Sequence, residues 1–115
     1  MRLIDQYRKA IEAAIRAIPP GCVSSYSGIA RQAGIQGRAR LVARLLAEGG
    51  HDDLPWHRVL CSDGRIAFPV GSDGFREQER RLRAEGVEVI EGRVKRADRA
   101  RQEDAGADID RLLWG

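Results

Sequence analysis

The sequence is poor in the residues that support metal, disulfide or membrane chemistry. It has two cysteines and two histidines in 115 residues, and Cys22 and Cys61 show neither a metal-binding spacing with the histidines nor a disulfide framework. His51 stands beside two aspartates in the polar loop 48–53, but three adjacent residues rarely converge on one ion. We therefore expect no metal and no cofactor. No apolar run is long enough to span a bilayer and no signal-peptide pattern is present, so we expect a cytoplasmic protein with no membrane partner.

Lysine is also scarce, and the basic charge is carried by arginine. Of the 20 Lys and Arg residues only Lys9 and Lys95 are lysine. Arginine binds phosphate bidentately and stacks on bases, which lysine does less well. Residues 1–60 carry nine basic against five acidic side chains, whereas residues 61–115 carry eleven against twelve. The N-terminal half is therefore the expected nucleic-acid face if there is one, although a solvated surface can show the same balance.

The length is suited to one domain with one modest core, which we expect over residues 1–90. Apolar residues at helical spacing predict a helix over 3–18, ended by the Pro-Pro-Gly that follows it. Residues 91–107 are polar, without a periodic apolar face, and are predicted to form a loose segment. Residues 108–115 are apolar enough to dock back onto the domain, with Trp114 as a packing anchor.

Two short helices joined by a glycine-containing turn are predicted next. Ser24 or Ser25 caps the first helix and Gly34 ends it, while the second helix runs from about Arg38 to Glu48. The second helix has an apolar face and an opposite arginine face, formed by Leu41, Val42, Leu45 and Leu46 and by Arg40 and Arg44 respectively. This helix-turn-helix pattern suits DNA binding. A helical hairpin with solvated arginines is the alternative that the pattern leaves open.

The most unusual stretch is Leu54–Leu60, where a proline, an aromatic, a histidine and an arginine stand in a row. Pro55 fixes its own φ and favours an extended residue before it. Val59 and Leu60 begin a short buried strand. Trp56 is thus expected at a bend, facing a pocket, although a core tryptophan beside a surface histidine is the alternative.

The second half predicts shorter elements. The Asp63-Gly64 turn signal lies between Val59–Cys61 and Arg65–Phe68, which predicts a hairpin. A glycine-containing loop over 69–74 precedes a charged helix over Phe75–Glu85, with Phe75, Gln78, Glu79 and Leu82 as its inner residues. A short strand is predicted at Val87–Ile90.

The central stretch resembles the active-site motif of the O6-alkylguanine-DNA alkyltransferases, Pro-Cys-His-Arg-Val, with Trp56 in place of the alkyl-accepting cysteine. That replacement is the mark of the alkyltransferase-like proteins, which bind O6-alkylated guanine without repairing it. Further similar segments are Val23–Tyr26 with Ile29-Ala30, Ala39–Val42, Leu82–Gly86 and the tryptophan-containing C-terminus. The resemblance covers roughly residues 3–90 and the last few residues. It implies a mixed α/β but mainly α fold, a winged helix-turn-helix-like DNA-binding domain as in the C-terminal domain of the alkyltransferases.

The resemblance also implies a role for each motif residue. Arg40 would enter from the minor groove and replace an extruded base, and the loop over 69–74 would close over that base with Pro69 or Val70 where some relatives have a basic residue. In the repair enzymes a glutamate orients the histidine that takes the thiol proton through a water; here the nucleophile is gone, so no catalytic residue is expected. The lesion pocket is expected from Tyr26, Trp56 and Val59, further DNA contacts from Ser24, Ser25, Arg38 and Arg44, and a vestigial motif from Pro55, His57, Arg58 and Glu85.

The predicted function is therefore a non-enzymatic, monomeric sensor of DNA damage. It would bind double-stranded DNA containing O6-alkylguanine, flip the lesion and hand it to nucleotide-excision repair proteins. Two alternatives stay open: an active alkyltransferase that uses Cys61, and a sequence-specific helix-turn-helix transcription factor.

Overall fold

A computed structural model describes residues 3–50 and 53–95 of the chain. The fold is mainly helical, with two small two-stranded sheets. In chain order its elements are α1 (Leu3–Arg16), β1 (Ser24–Ser25), α2 (Tyr26–Gln32), α3 (Ala39–Ala47), a 3-10 turn (Trp56–Arg58), β2 (Val59–Leu60), α4 (Asp73–Ala84), β3 (Val89–Ile90) and β4 (Arg93–Val94). None of the described helices is long and apolar enough to cross a bilayer.

The first core lies under α1, α2 and α3. Apolar residues recur on α1 at helical spacing, so Ile4, Ile11 and Ile15 all face inward and are at most 2% exposed. They pack with the buried faces of the other two helices, which include Ile29, Ala30, Val42 and Leu45. The predicted helix over 3–18 is confirmed, except that it ends at Arg16.

The helix-turn-helix is formed as the residue pattern predicts. Ser25 is the N-cap of α2, and its hydroxyl accepts a hydrogen bond from the Gly28 N–H at 3.0 Å. Gly34, at φ +82°, takes the left-handed conformation that ends such a helix. Arg38 and Glu48 flank α3 as its N-cap and C-cap residues. The turn between the helices therefore fixes α3 against α2.

The pairing of the central strand differs from the predicted hairpin. Val59–Leu60 pairs in parallel with Ser24–Ser25, so it joins the motif to the helix-turn-helix rather than to Arg65–Phe68. The turn is present, since the Cys61 N–H donates to the Arg65 carbonyl at 2.9 Å. After the turn, the backbone pairs with the C-terminal hairpin instead. Arg65 forms an antiparallel β-bridge with Arg93, and the Ile66 N–H donates to the Gly92 carbonyl at 2.9 Å.

The second core lies between α4 and the C-terminal hairpin. Helix α4 begins at Asp73, two residues before the predicted start, because the Ser72 hydroxyl caps it by accepting from the Phe75 N–H at 3.3 Å. Its buried apolar side chains pack with residues that precede and follow the helix in the chain. The cluster consists of Val23, Leu60, Ile66, Phe75, Leu82, Val87, Val89 and Val94.

The folded unit extends past the boundary predicted at residue 90. β4 (Arg93–Val94) pairs antiparallel with β3 (Val89–Ile90), and the Val94 side chain is fully buried. Residues 91–95 are thus part of the domain and not of a loose segment. The remainder of the predicted loose segment and the docking of residues 108–115 lie outside the described residues and stay predictions.

Candidate nucleic-acid interface

The motif is held in a tight bend that separates its side chains. Pro55 precedes the 3-10 turn, the Trp56 N–H donates to the Leu54 carbonyl at 2.8 Å, and the Arg58 N–H donates to the Pro55 carbonyl at 3.1 Å. Because a 3-10 helix has three residues per turn, consecutive side chains leave it in different directions. His57 therefore points inward, with 8% exposure, while Trp56 stays half-buried.

The carboxylate of Glu85, the C-cap residue of α4, contacts two residues of the motif. Glu85 Oε1 lies 2.7 Å from His57 Nε2, and Arg58 Nε donates to both Glu85 oxygens at 3.0 and 3.1 Å. The Arg58 guanidinium also reaches Glu85 Oε2 through Nη2 and donates from Nη1 to the Ile18 carbonyl at 2.8 Å. The structure thus joins His57, Arg58 and Glu85 to the segment that follows α1, a contact that sequence spacing does not reveal.

The electrostatics of this cluster favour a charged glutamate and a neutral histidine. The hydrogen bonds from Arg58 hold the pKa of Glu85 below its ordinary value. Burial lowers the pKa of His57 more than the Glu85 contact raises it. At neutral pH the carboxylate therefore accepts from the His57 Nε2–H. His57 Nδ1 is buried without a hydrogen-bond partner among the described residues.

The side-chain amide of Gln78 holds the backbone of the motif and was not predicted as a site residue. Its side chain is 2% exposed, and Nε2 donates to the His57 carbonyl at 3.0 Å and to the Val59 carbonyl at 2.9 Å. Both Nε2 hydrogens are thereby used on the backbone of the motif. The available signal was a lone amide on the apolar stripe of α4 between Phe75 and Leu82.

Trp56 is surrounded by two rings and a cation. The Phe68 ring lies edge-on with centroids 5.9 Å apart, the His57 ring does so at 6.3 Å, and the Arg81 guanidinium carbon is 5.2 Å from the indole centroid. The Phe68 ring has room in this position beside Trp56 because Gly74 has no side chain: a Cβ at residue 74 would lie 2.6 Å from the Phe68 ring. These contacts fix the plane of the indole while leaving part of it exposed.

The other two predicted pocket residues differ in their exposure. Tyr26 is the first residue of α2 and is half-buried, and burial raises the pKa of its hydroxyl. The Val59 side chain is 1% exposed and belongs to the first core, so the pocket role of Val59 stays a prediction. An open cleft of about 510 Å³ lies beside the motif, and its lining consists of Arg16, Asp53, Leu54, Pro55, His57, Arg58 and Arg81.

The arginines among the predicted DNA contacts lie along α3 and at its N-cap. Arg38, Arg40 and Arg44 are exposed, and none has an ion-pair partner within residues 3–50 and 53–95. By contrast, Arg80 and Arg81 on α4 both pair with Glu77. The arginines of α3 are therefore free to bind phosphate, whereas the Ser25 hydroxyl is already used as a helix cap. His51, considered above as a metal ligand, lies outside the described residues.

The site thus combines a helix-turn-helix, whose arginines on α3 pair with no acid in the described part of the chain, with a His-Arg-Glu cluster to which a short parallel ladder joins it. A family model described as the DNA-binding domain of 6-O-methylguanine DNA methyltransferase matches residues 6–87. The chain belongs to this family.

The relatives and solved structures agree with this assignment. A DNA base-flipping protein of Vibrio parahaemolyticus is 45% identical over 76% of this chain and 87% of its own length. Alkyltransferase-like protein 1 of Schizosaccharomyces pombe is 38% identical over 79% of this chain and 84% of its own. The crystal structure of S. pombe Atl1 in complex with damaged DNA containing O6-carboxymethylguanine superposes with a TM-score of 0.71 at 36% identity, covering 83% of this chain and 91% of that one.

Replacing Gln78 tests whether the amide supports the motif. Gln78→Met keeps most of the buried volume but leaves the His57 and Val59 carbonyls without their donor, so we expect a loss of about 1–3 kcal/mol in the free energy of unfolding. Urea denaturation measures it. Arg76→Met on the exposed face of the same helix should change stability by less than about 0.5 kcal/mol. Equal effects of the two substitutions would contradict this role for Gln78.

The lowered pKa of His57 predicts a pH-dependent stability. Between the folded value and the ordinary 6.5, the unfolded chain binds more protons than the folded one, so the free energy of unfolding falls as the pH falls through this window. The lowered pKa of Glu85 adds a second loss below 4.5. We expect denaturation between about pH 7 and about pH 5 to show the first loss, and His57→Gln to reduce it.

The chain's other histidine supplies the matched control. His51→Gln removes a group of the same ordinary pKa and should leave the slope of stability against pH as it is in the wild type. If His51→Gln flattens the slope and His57→Gln does not, the loss does not come from the buried imidazole.

Proposed function

We propose that this protein is a non-enzymatic sensor that binds and flips O6-alkylguanine in duplex DNA and marks it for nucleotide-excision repair. The observation that carries the proposal is a half-buried tryptophan beside a hydrogen-bonded His-Arg-Glu cluster. Glu85 is hydrogen-bonded to both His57 and Arg58, and Trp56 stands where the motif resemblance places the alkyl-accepting cysteine. An indole is not a nucleophile that could accept an alkyl group under these conditions, so the site can bind a lesion but not repair it.

The geometry gives Trp56 a binding role. An exposed part of a large, fixed aromatic ring offers apolar contact area to the O6 substituent of a flipped guanine. Extruding a base costs a few kcal/mol, and less for a damaged, weakly paired one. Contact with an aromatic side chain supplies roughly 1–3 kcal/mol per base, which offsets much of that cost and favours the lesion.

The exposed arginines of α3 supply the contact with DNA. Arg40 and Arg44 lie four residues apart on the side away from the core, so one insertion of the helix presents both to the duplex. In this proposal Arg40 fills the space left by the extruded base and Arg44 contacts the backbone. The base-flipping protein of V. parahaemolyticus and the Atl1 complex with lesion-containing DNA support the same use of this domain.

An active alkyltransferase that uses Cys61 is disfavoured by the environment of that thiol. Cys61 is partly buried just after β2, and burial together with the nearby Asp63 raises its pKa. Since the thiolate is the attacking species, a raised pKa makes Cys61 a poor nucleophile at neutral pH. The transcription-factor alternative differs in its specificity, because such a protein would prefer one undamaged sequence, whereas the sensor responds to the lesion in any sequence.

Partner and assembly follow from the same proposal. The nucleotide-excision repair proteins would recognise the complex of this protein with the flipped lesion, and a monomer is sufficient because one helix-turn-helix and one pocket serve one damaged base. The family resemblance supports this hand-off.

Trp56→Ala tests the pocket. If the indole contacts the alkyl group, the substitution should weaken binding to a duplex with O6-methylguanine by about tenfold or more, equivalent to ~1.4 kcal/mol, and weaken binding to the guanine duplex much less. Titrations of both duplexes at one stated salt concentration measure the difference.

Trp56→Phe is the matched variant, since it keeps an aromatic face and should keep part of the preference. Thermal melts of both variants check folding, because truncating a buried aromatic can cost about 3–5 kcal/mol. Equal losses on the two duplexes would assign Trp56 to the fold and not to the lesion.

Arg40 and Arg44 provide a test of base flipping. We expect Arg40→Ala to reduce the fluorescence rise of a 2-aminopurine placed beside the lesion, because the vacated space is no longer filled. Arg44→Ala should weaken binding to all duplexes and lower the salt slope by about one unit at most, the signature of one lost phosphate contact.

Both side chains are exposed, so folding should be unaffected in either variant. If the two substitutions produce the same salt-dependent loss with the fluorescence change intact, Arg40 does not act as the finger.

A further inference from the structure

Arg81 brings a positive charge to the tryptophan of the motif. Its guanidinium carbon lies 5.2 Å from the Trp56 ring centroid, and the side chain lines the open cleft beside Pro55 and His57. The charge also acts inside the motif, since it contributes to lowering the pKa of the buried His57. Arg81 is thus the basic residue of α4 that faces the candidate site.

Arg81 is held by an ion pair within its own helix. Its Nε donates to Glu77 Oε1 at 2.8 Å, and the side chain is 34% exposed. Glu77 is shared with Arg80, which donates to it at 3.1 and 2.6 Å, and these arginines lower the pKa of Glu77 to about 2. Two guanidinium groups on one carboxylate leave a net positive charge.

The end of the guanidinium remains available to a ligand. Only Nε is used on Glu77, and the Nη atoms of Arg81 donate to no residue within 3–50 or 53–95. These two nitrogens form the fork that binds a carboxylate with two parallel hydrogen bonds. A partly desolvated position beside an indole strengthens such a contact relative to bulk water.

We propose that Arg81 makes this site prefer O6 substituents that end in a negative charge, of the carboxyalkyl class, over neutral substituents of the same size. The inference rests on the proposed function, in which Trp56 is the surface that the O6 substituent meets. A substituent packed on or along the edge of that ring carries its terminal group toward the guanidinium. Arg81 is then a specificity-determining residue, and the indole supplies the apolar contact common to all substituents.

A pair of isosteric lesions tests the charge preference. Duplexes of one sequence carry O6-carboxymethylguanine or O6-carbamoylmethylguanine, which differ in a carboxylate against a neutral amide, and competition titrations give the ratio of their dissociation constants. The wild type should favour the carboxylate by about fivefold or more, and Arg81→Met should bring the ratio near one. Arg81→Lys, which keeps the charge without the fork, should retain part of the preference.

Arg80→Met is the matched control. Arg80 is one residue away, pairs with the same Glu77 and is exposed, so its replacement removes the same charge from the helix without removing the cation beside Trp56. It should keep the wild-type ratio. Because general weakening of DNA binding acts on both duplexes, the ratio reports the substituent alone.

A wild-type ratio near one, or a ratio that survives Arg81→Met, overturns the proposal. An equal loss of the ratio in Arg80→Met and Arg81→Met does so too, since the effect is then one of overall charge. A wild-type protein that fails to distinguish O6-methylguanine from guanine contradicts the proposed function itself, which separates that failure from one confined to Arg81.

Discussion

The arrangement of the site depends on one carboxylate, Glu85, that binds two consecutive residues of the motif. Its contacts with His57 and Arg58 bring the end of α4 against the 3-10 turn, and Arg58 extends the connection to the Ile18 carbonyl after α1. These side chains are 10–16% exposed, so removing any partner leaves a charge or a polar group with little access to water. The cluster thus stabilises the bend that holds the motif.

The contacts around the motif determine the position of the Trp56 side chain. Gln78 and Glu85 hold the motif at His57, and the neighbouring indole contacts Phe68 and Arg81. The parallel ladder between β1 and β2 joins this bend to the strand that leads into α2, which connects Trp56 to the helix-turn-helix. In the proposed function, contacts that are already formed favour binding of a flipped base, because fewer groups have to be ordered upon binding.

Local patterns in the sequence predicted the local structure well. The caps at Ser25 and Gly34 and the two faces of α3 follow from neighbouring residues, and the structure confirms them. The partner of Val59–Leu60 and the role of Gln78 depend on residues far away in the chain, which periodicity does not encode. The expected hairpin was wrong for that reason: the Asp-Gly turn forms, but the strand before it pairs with Ser24–Ser25. The position of Arg81 over Trp56 likewise had no signal in the spacing.

The central claim, lesion binding without repair, is tested most directly by following protein and DNA after complex formation. The protein is saturated with a duplex containing O6-methylguanine, the complex is verified by its mobility, and both components are then recovered for mass spectrometry. The account predicts an unchanged protein mass and an intact lesion in the recovered DNA. A protein that has gained one methyl group, mapped to Cys61 or Cys22, together with restored guanine in the duplex, would contradict it.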